Sequence, residues 1–323
     1  MGENSLVAHQ CLYNFEGSLN RLDEEEGCMR IALVLGSGGA RGLAHIGVIR
    51  WLEDQDIEIG AVAGSSIGAL VGGAHAAGHL DRLEDWARDL DKFALLRLLD
   101  ISWQKNGLVK GHKLLKTLKK LLGDVQIEDL PIAYTAVATD IEQQKEIWLR
   151  KGSLAQSIRA SISLPLFFTP YTLNGVALID GGVLNPVPIA PVFGDGCERI
   201  VAVSLSGESR AQARHHPVEE AVKPKKQEDW VSAIYSKVRG WFADKGEDLA
   251  EWGPYEIADL AFDSMQNTIA RQKLAAYPPD DRLEIASDAC GMLEFDRAEE
   301  MIQHGYDQAA KQLAHLISDS NHA

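Results

Sequence analysis

The sequence predicts an α/β fold with a mainly parallel central sheet, and three observations carry that prediction. A compact apolar run, Ile31-Ala32-Leu33-Val34-Leu35, is too short for a helix and ends in glycine, so it is a buried strand. A second buried run, Ile59 to Ala63, follows a stretch whose Leu43, Ile46, Ile49 and Leu52 recur at the helical period. Each run feeds a glycine-rich turn and then a helix, the β-α-β order that sets neighbouring strands parallel.

Those two turns carry the chemistry. The first, Gly36-Ser37-Gly38-Gly39-Ala40-Arg41-Gly42, can expose backbone N–H groups because glycine removes the steric wall. The second, Gly64-Ser65-Ser66-Ile67-Gly68, fits G-x-S-x-G, the nucleophile elbow, with Ser66 at its centre. Small residues at Gly64 and Gly68 are needed because a serine on a sharp strand-to-helix turn leaves no room for side chains on either side. The following helix directs its N–H groups and positive dipole end toward that serine. Parallel strands bring both turns to one carboxyl edge of the sheet, where the first turn can offer donors to an oxyanion forming at Ser66. A dinucleotide loop fits less well: Gly36-x-Gly38 begins G-x-G-x-x-G, but position 41 is Arg, and no Gly-Lys-Ser/Thr ending follows. Asp54 and Asp56, placed where a ribose acceptor would stand, fall at a helix end where acids are ordinary solvent residues.

Taken in order, residues 1–28 form a polar extension ending in Asp23-Glu24-Glu25-Glu26, and a single domain spans 29–320. Leu80 to Leu99 reads as an amphipathic helix and Trp103 to His112 as a loop. In His112 to Leu122 the leucines 114, 115, 118, 121 and 122 oppose four lysines, a core-facing helix with a solvated basic face rather than a membrane-surface helix. Ile132 to Thr139 reads as a strand with a hairpin partner at Glu146 to Leu149, Ser153 to Ser161 as a helix, and Leu164 to Phe168 as an apolar loop. The strand Val176 to Ile179 delivers Asp180-Gly181-Gly182 into a turn, where the carboxylate has no bulky neighbours and can approach another loop closely. Another strand covers Ile200 to Leu205. A polar insert follows at about 206–252, with an apolar stripe of Trp230, Ile234, Val238, Trp241 and Phe242 for core, lid or interface. From Tyr255 to His315 the pattern is mainly helical, with a strand-like Leu283-Glu284-Ile285.

Composition narrows the class. A net charge of −15 argues against nucleic acid and against simple adsorption to anionic lipid. Cys11, Cys28, Cys197 and Cys290 lie far apart without C-x-x-C pairing, which suits a reduced cytoplasmic protein better than a disulfide or zinc scaffold. No signal-like opening and no long uninterrupted apolar run is present, so cytoplasmic is the expectation, with transient contact to a membrane surface left open. No metal or cofactor is expected: His75 and His79 share a helix face at i and i+4, but no third ligand accompanies them. His304 and His315 fall late enough for a Ser-Asp-His order, yet both sit in helical stretches, and His45 is expected to hydrogen-bond near the glycine loop. A homo-oligomer through the C-terminal helices is compatible with the sequence, which marks no seam.

The glycine loop, the Ser66 pentapeptide and Asp180-Gly181-Gly182 together resemble the patatin-like phospholipases, in order and in spacing. Val137-Ala138-Thr139-Asp140, Arg159-Ala160-Ser161 with Leu164-Pro165, and Asn185-Pro186-Val187-Pro188 extend the likeness, which is nearest the small bacterial branch related to the neuropathy target esterase catalytic domain. The resemblance covers about residues 30–205 strongly. It implies a three-layer α/β/α fold and a Ser–Asp dyad, with Ser66 as nucleophile and Asp180 as the group that activates it. It also implies an oxyanion hole in the loop containing Gly38, Gly39, Arg41 and Gly42. Ser37 replaces a glycine common there but can still present its N–H. The implied substrate is a lipid acyl ester. The alternative is a regulatory lipid-binding protein that keeps the fold with little turnover.

Overall fold

The computed structural model describes residues 29–90, 109–165, 167–208 and 254–320. The N-terminal extension, residues 91–99 of the Leu80–Leu99 stretch, residues 103–108 of the Trp103–His112 loop, most of the 206–252 insert and the Trp230–Phe242 stripe lie outside the described residues.

The chain alternates strand and helix as expected. In order come β1 (Arg30–Leu35), α1 (Ala44–Asp54), β2 (Glu58–Ser65), α2 (Ile67–Ala76), α3 (Leu80–Arg88) and α4 (His112–Leu122). Next are β3 (Ala133–Asp140), β4 (Lys145–Leu149), α5 (Leu154–Ser161), β5 (Tyr171–Leu173), β6 (Val176–Asp180) and β7 (Arg199–Gly207). The chain closes with α6 (Pro254–Ala276), β8 (Asp281–Ala286), α7 (Ala298–Gln312) and α8 (His315–Ser320). Ser206 and Gly207 complete β7.

One eight-stranded sheet holds these strands in the order β5-β6-β3-β2-β1-β7-β8, with β4 paired to β3. The pairs β1–β2, β1–β7, β2–β3 and β7–β8 are parallel; β3–β4, β3–β6 and β5–β6 are antiparallel. From β1 the chain steps one way to β2 and β3, and from β7 it steps the other way to β8. Right-handed crossovers then put α1 and α2 on one face and α6 on the other, which gives three layers. The alternation of each strand fits this. Ile31, Leu33 and Leu35 of β1 join the core under α1, α2, α4 and α7, while Ala32 and Val34 face Ala270 and Leu274 of α6. On α4, Leu114, Leu118 and Leu122 are buried while Lys113, Lys119 and Lys120 are exposed, so this helix faces the core as its periodicity indicated. The carboxyl end of β1 lies where the chain's direction reverses, the place at which open α/β sheets collect their functional loops.

Candidate active site

A strand residue has a neighbour on each edge, and the register around β3 brings the two candidate groups together. β4 occupies one edge of β3 from Ala136 to Asp140. β2 therefore lies on the other edge, ending at Ser65 opposite Val137, and β6 comes in antiparallel on that same edge, ending at Asp180 opposite Ala138. Two strands thus meet end to end on consecutive rows, so Ser66 and Asp180 emerge side by side. Ser66 Oγ donates to Asp180 Oδ2 at 2.5 Å.

Ser66 sits on a strained turn. Its φ of 56° and ψ of −124° are sparsely populated for a residue with a side chain and persist only where the surroundings dictate them. Tight closure of the elbow supplies that dictation: a Cβ on Gly68 would lie 2.1 Å from the Leu35 carbonyl oxygen at the end of β1, and one on Gly64 would lie 2.4 Å from Gly68. The side chain of Ser66 is half-buried, and its backbone N–H donates to Ser161 Oγ at 2.9 Å. Below it, Ser65 Oγ donates to the Asn185 carbonyl at 2.6 Å and ties the elbow to the segment after Asp180.

Asp180 is fully buried. Its Oδ1 accepts the Gly182 N–H at 2.7 Å, and its own N–H donates to the Ser163 carbonyl at 3.0 Å. Burial pushes its carboxyl up from 3.8 to about 7, against the opposing pull of the Ser66 and Gly182 hydrogen bonds. A carboxylate raised in this way is a stronger base than an ordinary aspartate.

The glycine loop divides into donors in use and donors to spare. Gly36 N–H goes to the Val203 carbonyl at 3.0 Å, Ser37 N–H to Pro186 at 2.8 Å and Ala40 N–H to Met292 at 2.8 Å. Ser37 therefore does not present its amide as expected, because the end of β1 runs directly against the Pro186 backbone. The amides of Arg41 and Gly42 belong to the short 3₁₀ helix Gly39–Leu43. Those of Gly38 and Gly39 make no hydrogen bond to the described residues. Gly42 instead serves packing, with Ile67 filling the space where its side chain would be.

Arg41 does not point at open solvent. Its buried guanidinium donates to the Gly38 carbonyl at 3.2 Å, the Ser287 carbonyl at 2.5 Å and Asp263 Oδ1 at 3.2 Å. It thus pins the glycine loop to α6 and to the turn after β8. Gln266, one turn along α6, reaches Ser37 Oγ at 3.4 Å. Arg41→Met strips three acceptors of their donor and is expected to cost on the order of 2 kcal/mol of stability. The same variant should lower kcat more than it raises KM, checked by chemical denaturation beside steady-state kinetics.

The histidines are engaged elsewhere. His45, fully buried, donates through Nε2 to the Gly36 carbonyl at 2.8 Å, and burial pushes its imidazole down to about 4, so it is neutral near pH 7. His315 pairs with Asp281 at 2.6 Å at the amino end of β8, the opposite edge of the sheet from Ser66. His75 lies 3.4 Å from Glu53, and no group of metal-ligating side chains occurs among the described residues. Beside the Asp180 turn an open groove of about 500 Å³ is lined by Gln144, Lys145, Glu146, Trp148 and Leu184. Glu146 at its wall accepts from Asn185 Nδ2 at 2.8 Å, which links the groove to the backbone under the elbow. No described helix is long and apolar enough to cross a membrane.

Ser161, Asp263 and Gln266 were not singled out from sequence for the site. Ser161 had a signal in the Arg159-Ala160-Ser161 run, whereas Asp263 and Gln266 are ordinary helix residues until α6 is placed against the loop.

The family model described as patatin-like phospholipase matches residues 33–193, which include both turns and Asp180. The chain is 38% identical to an NTE family protein of Mycobacterium tuberculosis, over 91% of this chain and 94% of that one. It is 36% identical to lysophospholipase NTE1 of Saccharomyces cerevisiae over 54% of this chain and 11% of that much longer protein. Among solved structures, VipD from Legionella pneumophila aligns with a TM-score of 0.42 at 15% identity, over 88% of this chain and 66% of that one.

Proposed function

The chain belongs to the patatin-like phospholipase family, and from that premise we propose that it is a serine acyl hydrolase of lipid esters working through a Ser66–Asp180 dyad. The observation that carries this reading is the 2.5 Å hydrogen bond from Ser66 Oγ, on a strained strand-to-helix turn, to the buried carboxylate of Asp180. The lysophospholipase name of a similar yeast protein supports the substrate class.

In the proposed cycle, Ser66 Oγ attacks the acyl carbonyl while Asp180 Oδ2 takes its proton. The carbonyl oxygen becomes an oxyanion, held by the amides of Gly38 and Gly39 and by the amino end of α2. Collapse breaks the ester bond, and Asp180 returns its proton to the leaving alcohol. Water then attacks acyl-Ser66 with Asp180 again as base, which frees the fatty acid and restores the serine hydroxyl. One oxyanion donor is typically worth about 3 to 4 kcal/mol, so two amides carry a large share of the barrier reduction. The base works only when ionised. Activity should therefore rise with pH through about 7 and level above it, the acid limb reporting Asp180.

The groove beside Leu184 and the apolar residues Leu164, Phe167 and Phe168 are the candidate surfaces for a lipid chain. A fluorophosphonate probe and a nitrophenyl ester series from short to long acyl chains test the reading. Wild type should take the probe and hydrolyse long chains preferentially, while Ser66→Ala should do neither. A folded wild type that is inert to both would overturn the hydrolase reading in favour of lipid binding without turnover. A flat response to chain length would sink the lipid preference alone.

A further inference from the structure

The carboxyl end of α5 touches both members of the dyad. Ser161, its last residue, is fully buried, and its Oγ accepts the Ser66 N–H at 2.9 Å while donating to the Val137 carbonyl at 2.6 Å. A hydroxyl has one proton to give. With that proton committed to Val137, its lone pairs are fixed on the Ser66 amide. Two residues on, the Ser163 carbonyl receives the Asp180 N–H at 3.0 Å.

This short segment is itself held rigidly. Arg159 Nη1 donates to Ser163 Oγ at 2.6 Å, and Ser163 Oγ donates back to the Arg159 carbonyl at 2.9 Å. The Arg159 guanidinium, buried with no carboxylate partner among the described residues, lies 4.7 Å from the Phe168 ring centre and 5.5 Å from that of Tyr171. Its Nη2 donates to the Lys110 carbonyl at 3.0 Å. Such a cation, enclosed by two rings and two backbone and side-chain acceptors, gives the segment one arrangement.

The strained turn at Ser66 needs this. Its amide precedes the helix α2, so no helical carbonyl takes it, and without Ser161 it would be a partly buried donor with no acceptor. Rotation of that peptide to find another partner would swing Oγ away from Asp180. We infer that Ser161 is a positioning residue for the hydrolysis: its hydroxyl holds the nucleophile's amide, and with the Ser163 carbonyl it sets the separation of Ser66 and Asp180. A corollary is that Ser66's own N–H is not an oxyanion donor, which leaves that work to Gly38, Gly39 and the start of α2. This inference rests on the Ser–Asp reading above.

The test compares full-length wild type, Ser161→Ala and Ser161→Thr on a nitrophenyl ester, with kcat, KM, the pH–rate profile and the melting temperature of each. Ser161→Ala should lower kcat ten- to a hundredfold with KM unchanged. Its acid limb should stay near that of wild type, because burial of Asp180 is untouched. Ser161→Thr keeps the hydroxyl and should stay within about threefold of wild type. Ser161→Ala within twofold of an active wild type overturns the inference and leaves the dyad standing. So does a Ser161→Thr that falls as far as the alanine variant, because packing rather than the hydroxyl would then matter. If Ser161→Ala does not fold, Ser161→Cys takes its place, a weak acceptor of similar size with the same two outcomes. A wild type that neither turns over ester nor takes a fluorophosphonate probe overturns the dyad, and the inference falls with it.

Discussion

Asp180→Asn should abolish ester hydrolysis and yet raise the melting temperature above neutral pH. The loss of activity follows from chemistry. An amide can accept the Gly182 N–H as the carboxylate does, so the turn keeps its shape, but it cannot take a proton from Ser66. A fall in kcat of at least about a thousandfold is expected, judged by the usual worth of a general base together with loss of nucleophile activation. The gain in stability follows from burial. In the unfolded chain the carboxyl ionises near 3.8, whereas in the folded protein it ionises only at about 7. Below about pH 4 both forms are protonated and folding carries no penalty. As pH rises from 4 to 7 the unfolded chain releases its proton while the native site retains it, so stability declines across that window and stays lower above it. At about 1.4 kcal/mol per pH unit the full penalty is on the order of 4 kcal/mol, part of it offset in the variant by exchanging a charged hydrogen bond for a neutral one. Asparagine pays none of this penalty. Thermal melts of both proteins at pH 4, 6 and 8 check the sign: the variant's advantage should be absent at pH 4 and largest at pH 8. Equal melting temperatures at pH 8 would mean that burial does not raise the pKa of this carboxyl, and the acid limb of activity should then lie near 4 instead of 7.

A buried carboxyl that costs stability where it is ionised, with a strained serine beside it, is what the proposed hydrolase reading requires of this site. Much of that site was legible in the sequence. The elbow could be read because it demands small residues at fixed offsets, and the glycine loop could be read for the same reason. Element types were legible because buried strands here are uninterrupted apolar runs and the helices keep their 3.6-residue stripes. Two things were not. The direction of β6 leaves no local trace, since Val176 to Ile179 reads the same whichever way it pairs, yet only the antiparallel direction puts Asp180 next to Ser66 on β3. The division of labour within the glycine loop was hidden as well. Whether an amide is spare depends on which carbonyl stands opposite, and Pro186 and Met292 are distant in sequence. Asp263 and Gln266 were invisible for a related reason: they matter only because α6 lies over the loop.

The end-to-end meeting of β2 and β6 also fixes where a single methyl group should do most damage. Gly181 follows Asp180 at the point where β6 stops against β3. A Cβ there would stand 2.0 Å from the Val137 carbonyl oxygen and 3.2 Å from Ser65 Oγ. Neither neighbour can yield cheaply, because Val137 is central in the sheet and its carbonyl already accepts from Ser161 Oγ at 2.6 Å, while Ser65 Oγ is tied to Asn185. Gly181→Ala must therefore push the end of β6 outward by on the order of 1 Å, a displacement that can cost a hundredfold where reacting groups must meet. Overpacking of this kind typically removes about 1–3 kcal/mol of stability as well. The expected result is a kcat lower by a factor of about a hundred or more, together with a reduced urea midpoint at unchanged slope. Gly175, at the β5–β6 turn, supplies the contrast. Its φ of 83° makes alanine there strained, but nothing lies within 4 Å of the added carbon. Gly175→Ala should lose about 1–2 kcal/mol of stability and keep kcat. If the two variants lose stability alike and Gly181→Ala retains wild-type turnover, the separation of Ser66 and Asp180 is not set by the seating of β6 on β3. The dyad would then have to be assembled by the elbow side alone.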